Sequence, residues 1–539
     1  MEKPGIRAGA LVGALLTAPL IAVFFLVSEL VGTPFVPFDV FDWVGRILPG
    51  GLITFGIDLI VNTIDTFNLG ETSSAAKTAE QFLAIGGMFI TGIVAGAILF
   101  ALLRGRKITP GYLPGLILAL AVGGPVLFIS TSINQSASTS MFVSGAWILA
   151  AFLVWGWLHS LVYDHLVAGA SEQGSVQQIA RRQFLIRVGG ASAVLTVVGA
   201  GIGALLGGRE SEERITVALS GEAIEPWSAS NALPNADAAI EPAPGTRPEL
   251  TPLDNHYRID ISTRPPVVEE QEWVLPITGL VDNPLELTLD DLRSNYEPMQ
   301  QFVTLACISN PLGGSLIGTT LWSGVSLKTL LAEAGLQENA SHLKITAADS
   351  FDEVVAIDLI EEDERIMLAY AWDGLPLKVK HGFPLRIYIP DHYGMKQPKW
   401  IQTIEVIDEW QEGYWVRRGW DRDALMKATS VIDTVAVDMM LVEADSSLLI
   451  PIGGIAHAGA RGISKVEIQV DEGEWVEAQT RQPLSDTTWV IWRYDWPFEE
   501  GEHTFAVRCT EGDGTPQIET VSSSRPSGAT GIHTRDAVV

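Results

Sequence analysis

The sequence has 539 residues, too many for one ordinary domain. Its 35 Lys plus Arg against 64 Asp plus Glu leave a net charge of −29, and the first 208 residues are charge-balanced, so the whole acidic excess lies beyond them. So acidic a second part argues against nucleic acid or anionic lipid as its partners. Two cysteines, Cys307 and Cys509, give no disulfide framework, so the fold relies on its apolar cores.

In chain order, residues 1–208 read as a transmembrane helical region. Uncharged apolar runs of spanning length occur at 8–28, 81–103 and 188–208, and the stretch 108–163 holds two more, divided by the polar run STSINQSASTS. A span needs about 20 apolar residues, so five helices are expected. Residues 39–66 are apolar at the centre but interrupted by Pro49, Gly50, Gly51 and Asp58. If they do not span, three basic clusters (Lys3 and Arg7; Arg104, Arg106 and Lys107; Arg181 and Arg182) all fall on the cytoplasmic side. The segment is therefore read as re-entrant or interfacial on the outer side, and the C-terminal half as extracytoplasmic. The run RRQFLIRVGGASAVL from Arg181 resembles a twin-arginine export signal; a basic flank on an ordinary anchor helix is the alternative. His159 and His165 do not share a helix face, so paired haem ligation is not expected, and both are placed near a helix end at the interface.

Residues 209–250, rich in Glu, Ser, Ala and Pro with little apolar periodicity, read as an acidic flexible linker. Residues 251–425 mix short strand runs (WVLPITGLV, PLRIYIP) with helical stretches (SLKTLLAEAGL), an α+β pattern. Residues 426–521 turn to strands separated by Gly, Asp and Pro turns, as in an all-β sandwich. Residues 522–539 read as a polar tail.

The segment QFVTLACISNPLGGSLIGTTLWSGVSL places Cys307 between an apolar strand run and a glycine-rich turn. A soft thiolate there suits a soft metal centre, although a lone cysteine after a strand is more often a small core residue. The segment is similar to the cofactor-ligating stretch of molybdopterin-dependent oxidoreductases of the sulfite oxidase family. TPLDNHYRIDIS, WVLPITGLVDNPLELTLDDL, LAYAWDGLPLKVKHGFPLRIYIP and YGMKQPKWIQTIEV follow the same family order, and GGIAHAGARGISKVEIQVDEGEW resembles the immunoglobulin-like domain that often mediates dimerisation in relatives. The resemblance implies a Mo-molybdopterin cofactor with Cys307 as the metal ligand. It implies cofactor contacts from Tyr257, Arg258, Ser350, His381, Arg386, Gly394, Met395 and Lys396. Tyr370 and His392 are the remaining catalytic candidates, Tyr370 as a hydrogen-bond donor to an oxo group or substrate and His392 as a proton carrier. A surface charge, a core tyrosine and a solvated loop histidine are the ordinary readings of such residues taken singly.

One departure bears on substrate. Sulfite oxidases carry an arginine shortly after the ligand cysteine, whereas SNPLGGSLIG has no cation. The expected reaction is oxygen-atom transfer on a neutral small molecule such as a sulfoxide or N-oxide, with a separate electron-transfer partner and the membrane bundle as anchor. Sulfite oxidation through another cation such as Arg258 is the alternative within the family. A homodimer is among the expected partners, and a non-catalytic surface scaffold whose sandwich makes the contacts is the alternative outside the family.

Overall fold

The computed structural model describes residues 4–67, 72–105, 109–133, 139–168, 175–217, 225–442 and 447–539. The chain divides into two compact units. One comprises Met1–Pro49, Ala75–Glu222 and Asp260–Val267; the other comprises Gly50–Ser74, Ala223–Ile259 and Val268–Val539.

The first unit is helical: α1 (Ile6–Val31), α2 (Val36–Ile47), α4 (Thr72–Arg104), α5 (Tyr112–Ile133), α6 (Met141–Ala168) and α7 (Ser175–Val217), with α3 (Gly50–Phe67) grouped in the second unit. Among the described residues five helices are long and apolar enough to cross a membrane, and they fall on the five expected runs. The interrupted segment is not among them. It forms α2 and α3, separated at Leu48 and Pro49, where the proline and the residue before it leave helical geometry. Small residues let α1 and α4 touch: a Cβ on Gly13 would lie 2.3 Å from the Gly92 carbonyl oxygen, so the four-residue glycine spacing on both helices is a packing device. His159 is not interfacial as expected. It is fully buried, its Nδ1 2.9 Å from the Trp155 carbonyl oxygen, because α5 and α6 close around it at Gly115 and Gly156. Arg106 and Lys107 lie outside the described residues, as do the side chains of Arg181 and Arg182.

Residues 260–267 pack with the helices. Lys77 Nζ reaches the Asp260 carboxylate at 3.3 Å and its carbonyl oxygen at 2.8 Å, Asp42 accepts from the Thr263 amide, and Arg264 pairs with Glu29 at 2.8 Å while lying over the Phe38 ring.

The second unit holds the α+β and all-β regions. In the first of these, β1 (Leu275–Gly279), β2 (Leu285–Leu287), β5 (His342–Ala347), β6 (Asp352–Ala356) and β10 (Ile401–Ile407) form a sheet in the order β2-β1-β10-β5-β6, with β1 and β10 parallel. Short helices cover it. That at Leu289–Ser294 starts with a capping box in which the Thr288 hydroxyl accepts from the Asp291 amide and the Asp291 carboxylate accepts from the Thr288 amide. A second sheet orders β3 (Met299–Ala306), β4 (Ile317–Ser326), β7 (Met367–Trp372) and β8 (Leu375–Pro376), with β9 (Arg386–Tyr388) also on β7. Strand alternation puts Ala369 and Tyr370 into different cores, Ala369 with Cys307 and Tyr370 against the cluster under the first sheet.

The all-β region stacks two sheets around a core that includes Ile452, Ile468, Trp492 and Phe505: one orders β11 (Thr429–Val435), β13 (Leu448–His457), β17 (Val490–Pro497) and β16 (Gln479–Thr480), the other β15 (Val476–Glu477), β14 (Ile463–Val470), β18 (Glu502–Glu511) and β19 (His533–Val538). The segment expected as a polar tail contributes β19 (His533–Val538), paired along β18 (Glu502–Glu511). The segment expected as a flexible linker is tied down from Trp227 onward. Ser228 donates to Asp373 at 2.7 Å, Arg247 pairs with Asp433 at 2.6 Å, and Glu249 accepts from buried Arg481 at 3.0 Å. Polar contacts some 145 to 232 residues apart in sequence order a stretch that has no apolar period of its own.

Candidate active site

Strand β3 delivers Cys307 to the head of a loop that closes on itself. The Cys307 amide donates to Leu316 O at 2.9 Å, the Asn310 amide donates to Cys307 O at 3.0 Å, and the Asn310 side-chain oxygen accepts from the Leu316 amide. At Gly313 φ is +80° and a Cβ would stand 2.7 Å from His533 Nε2, so glycine is required on both counts. Cys307 is buried, with Sγ 3.0 Å from the Ser309 hydroxyl. Burial pushes its thiol up, while the Ser309 hydroxyl and amide and the positive charge of Lys399 pull it back.

Around that loop the fold gathers a buried guanidinium and ring donors without a carboxylate partner among the described residues. Trp322 and Trp372 are register partners on β4 and β7. The His256 ring stands 5.5 Å from Trp372 and 5.7 Å from His381, and the Arg386 guanidinium lies 4.6 Å from the Trp322 ring centroid. Arg386, only 5% exposed, donates to His381 O at 3.1 Å and makes no ion pair among the described residues. Its pKa is lowered to about 10, first by desolvation. Burial likewise lowers His256 to about 3 and His381 well below its usual value, with Arg386 among the positive neighbours of both. His256 Nε2, His381 Nε2, Trp322 Nε1 and Trp372 Nε1 are buried without a hydrogen-bond partner. An unpaired buried guanidinium beside four orphaned ring nitrogens is costly to fold. It fits an anionic, hydrogen-bonding group such as a pterin phosphate.

Of the expected residues, Cys307, Tyr257, His381 and Arg386 come together here. Tyr257 is buried in the same cluster as Cys307, which is among the groups raising its pKa. Gly394 completes the approach, since a Cβ there would lie 3.1 Å from the Tyr257 hydroxyl. Met395 packs with Ala306 and Ile308 beside the cysteine. Lys396 is directed elsewhere: its buried ammonium sits 2.7 Å from Glu353. Ser350 occupies an exposed turn at φ 62°, and Tyr370 lies over Arg293 on the far face of β7. His392 is buried with Nδ1 2.7 Å from the Pro390 carbonyl oxygen, its charged neighbours being Asp391, Lys396 and Asp423. Arg258 follows Tyr257 and is half-buried.

Sequence reasoning missed His256, Ser309, Trp322, Trp372 and Lys399. His256 and Lys399 lie inside the quoted segments, one residue from Tyr257 and three from Lys396, so the segments carry the signal and the fold selects the residue within them. The tryptophans needed strand register to become visible.

The description oxidoreductase molybdopterin binding domain belongs to a family whose model matches residues 262–415. The chain carries an oxidoreductase molybdopterin-binding domain. Sulfite oxidase of Arabidopsis thaliana is 26% identical over 280 residues, 43% of this chain and 71% of that protein. A nitrate reductase of Hordeum vulgare is 25% identical over 323 residues, 48% of this chain but 36% of its own length. Among solved structures, a chain of the sulfane dehydrogenase SoxCD from Paracoccus pantotrophus aligns over 59% of this chain and 93% of its own, at 20% identity and a TM-score of 0.47. The chain is an enzyme with a molybdopterin-binding oxidoreductase domain, similar over that part to sulfite oxidase and nitrate reductase, and the residues just described suit the cofactor's anionic part.

The histidines give a pH prediction for the cofactor-free protein. An unfolded histidine titrates near 6.5, whereas buried His256 and His457 are each lowered to about 3. Between those values the unfolded chain binds protons that the folded one refuses, so stability is full above about pH 6.5 and falls as pH drops. Differential scanning calorimetry from pH 7 to 5 should show Tm falling by roughly 4–10 °C. The loaded enzyme should fall less, because a phosphate beside His256 favours its protonated form. A flat or rising cofactor-free profile contradicts this.

Proposed function

We propose that the protein is a membrane-anchored enzyme that transfers an oxygen atom to or from a small molecule at a Cys307-ligated molybdenum, on the extracytoplasmic side. The observation that carries this reading is buried Arg386, without an ion pair among the described residues, with His256 and His381 against Trp322 and Trp372, which share a core with the Cys307 thiol. Bound at this place, the molybdenum–pterin group supplies two-electron oxygen-atom exchange. The protein's part is to hold and orient. Arg386 and Lys399 offset the cofactor's negative charge, and the neutral histidines donate hydrogen bonds. Ser309 and Lys399 favour the Cys307 thiolate, and the tryptophans keep water out. Five apolar helices support the anchor, and the arginine clusters support an outward-facing domain. Electrons reach such a site through a separate partner, and the two-sheet region offers a surface for a homodimer.

On substrate, the loop from Ile308 to Leu316 brings no cation, and Arg247, which lines a cavity of about 40 Å³ beside Ala306 and Asn310, is already neutralised by Asp433. A neutral sulfoxide or N-oxide is the first reading. One observation favours an oxyanion instead: Lys427 lines the same cavity and makes no ion pair among the described residues. The named relatives act on sulfite and nitrate. Steady-state assays with a sulfoxide, an N-oxide, sulfite and nitrate decide. The first reading expects turnover of the neutral substrates and no more than twofold change in kcat/KM on Lys427→Met, roughly the scale of a weak exposed charge. Turnover of an oxyanion alone, with KM raised about tenfold or more by Lys427→Met, favours the second.

A further inference from the structure

We propose that α3 and the loop Trp410–Arg422 form a phospholipid-facing surface of the molybdopterin-binding unit. The proposal rests on the reading of α1 and α4 as membrane spans.

Helix α3 belongs to the second unit, and its first residue abuts the loop: a Cβ on Gly50 would lie 2.8 Å from the Arg418 Cα. Leu52, Phe55, Leu59 and Phe67 are 57%, 66%, 58% and 70% exposed. Their spacing of three, four and eight residues puts them on one stripe of the helix, while Ile64 on another side is buried. Each large apolar side chain left in water forgoes about 1.5–3 kcal/mol of burial. A stripe carrying four of them, with Thr63 between Leu59 and Phe67, therefore marks a face that is covered in use.

The adjoining loop has the composition of a headgroup-level belt. The Arg422 guanidinium lies 4.2 Å from the Trp410 ring centroid, Arg418 lies 3.6 Å from that of Tyr414, and Trp415 packs against Trp420. Arg417, Arg418 and Arg422 place three cations within six residues that also hold Asp421, Arg417 being paired with Asp352 and Arg422 lying 4.0 Å from Asp423. Arginine beside tryptophan suits a layer with phosphate on one side and acyl chain on the other.

Chain continuity selects lipid over a second protein. Phe67 is five residues before Thr72, where the spanning helix α4 begins, so that end of α3 lies within about 18 Å of it. The other end follows α1 by way of α2 alone. A helix so tethered, with an apolar stripe and outside the five spanning helices found among the described residues, matches one lying in the interfacial plane.

The test uses the full chain in phosphatidylcholine nanodiscs. Native Cys307 and Cys509 are buried, so single cysteines at Phe55→Cys, Leu120→Cys or Val476→Cys can carry an environment-sensitive fluorophore. Spin-labelled lipids then quench at a shallow or a deep acyl position. The expected result at residue 55 is quenching at least about twofold stronger from the shallow label than from the deep one, reversed at Leu120 on α5 and absent at Val476 on the β15 strand (Val476–Glu477). No quenching at residue 55 with Leu120 quenched means that the stripe is closed by protein, this chain's own helices or a second copy, and overturns the proposal while leaving the spans intact. Deeper quenching at residue 55 than at Leu120 also overturns it, since α3 is then inserted. Loss of quenching at both positions overturns the membrane reading itself.

Discussion

Replacing Arg386 by Gln is expected to cut the molybdenum content of protein from a cofactor-competent host to under about a tenth of wild type, because a buried charge-assisted contact to phosphate is among the stronger polar interactions. The same change should raise the stability of the cofactor-free protein by about 1–3 kcal/mol. The guanidinium is buried with one carbonyl oxygen as its hydrogen-bond partner and no carboxylate, so removing it relieves a desolvation cost. Elemental analysis and denaturant unfolding read the two effects. Opposite signs are the signature of a group held for a ligand. A structural arginine would lose stability in both forms, and unchanged metal content would remove Arg386 from the site.

The second large effect concerns Lys396 and Glu353. Both side chains are buried, 8% and 0% exposed, and they meet at 2.7 Å. Breaking the pair from either side leaves a buried charge alone, so Glu353→Gln or Lys396→Met should each cost about 3–5 kcal/mol. The double variant should recover most of that. Its molybdenum content distinguishes the two roles open to Lys396. Near-normal loading in the double variant makes the pair a brace for the loop that carries Gly394 and Met395. Loading that stays low despite restored stability makes Lys396 a cofactor contact.

Parts of this molecule are legible in the sequence because one physical requirement dominates each. Spans announce themselves because no charge is tolerated over some twenty residues. The cysteine loop does so because a thiol, a proline and two glycines are spaced for a tight turn. Other parts depend on partners far along the chain. Tyr370 falls within a legible strand, but which face it takes follows from register, and register turns it from Cys307. Lys396 and Lys399 look alike in YGMKQPKW, and only a buried Glu353, 43 residues upstream, draws the first away and leaves the second as the cation electrostatically coupled to the thiol. The stretch 225–250 has no apolar period, yet Arg481 and Asp433 order it. The sequence does not set His256 apart from Tyr257 and Arg258 beside it, because its orphaned Nε2 shows only in the folded state.

X-ray absorption at the molybdenum edge tests the sulfur–metal bond on which the chemistry depends. Wild-type enzyme should carry about one molybdenum per chain, and Cys307→Ser should show one sulfur neighbour fewer on whatever metal it retains. An unchanged sulfur count in the loaded variant, or wild-type protein empty of molybdenum from a host that makes the cofactor, contradicts the account.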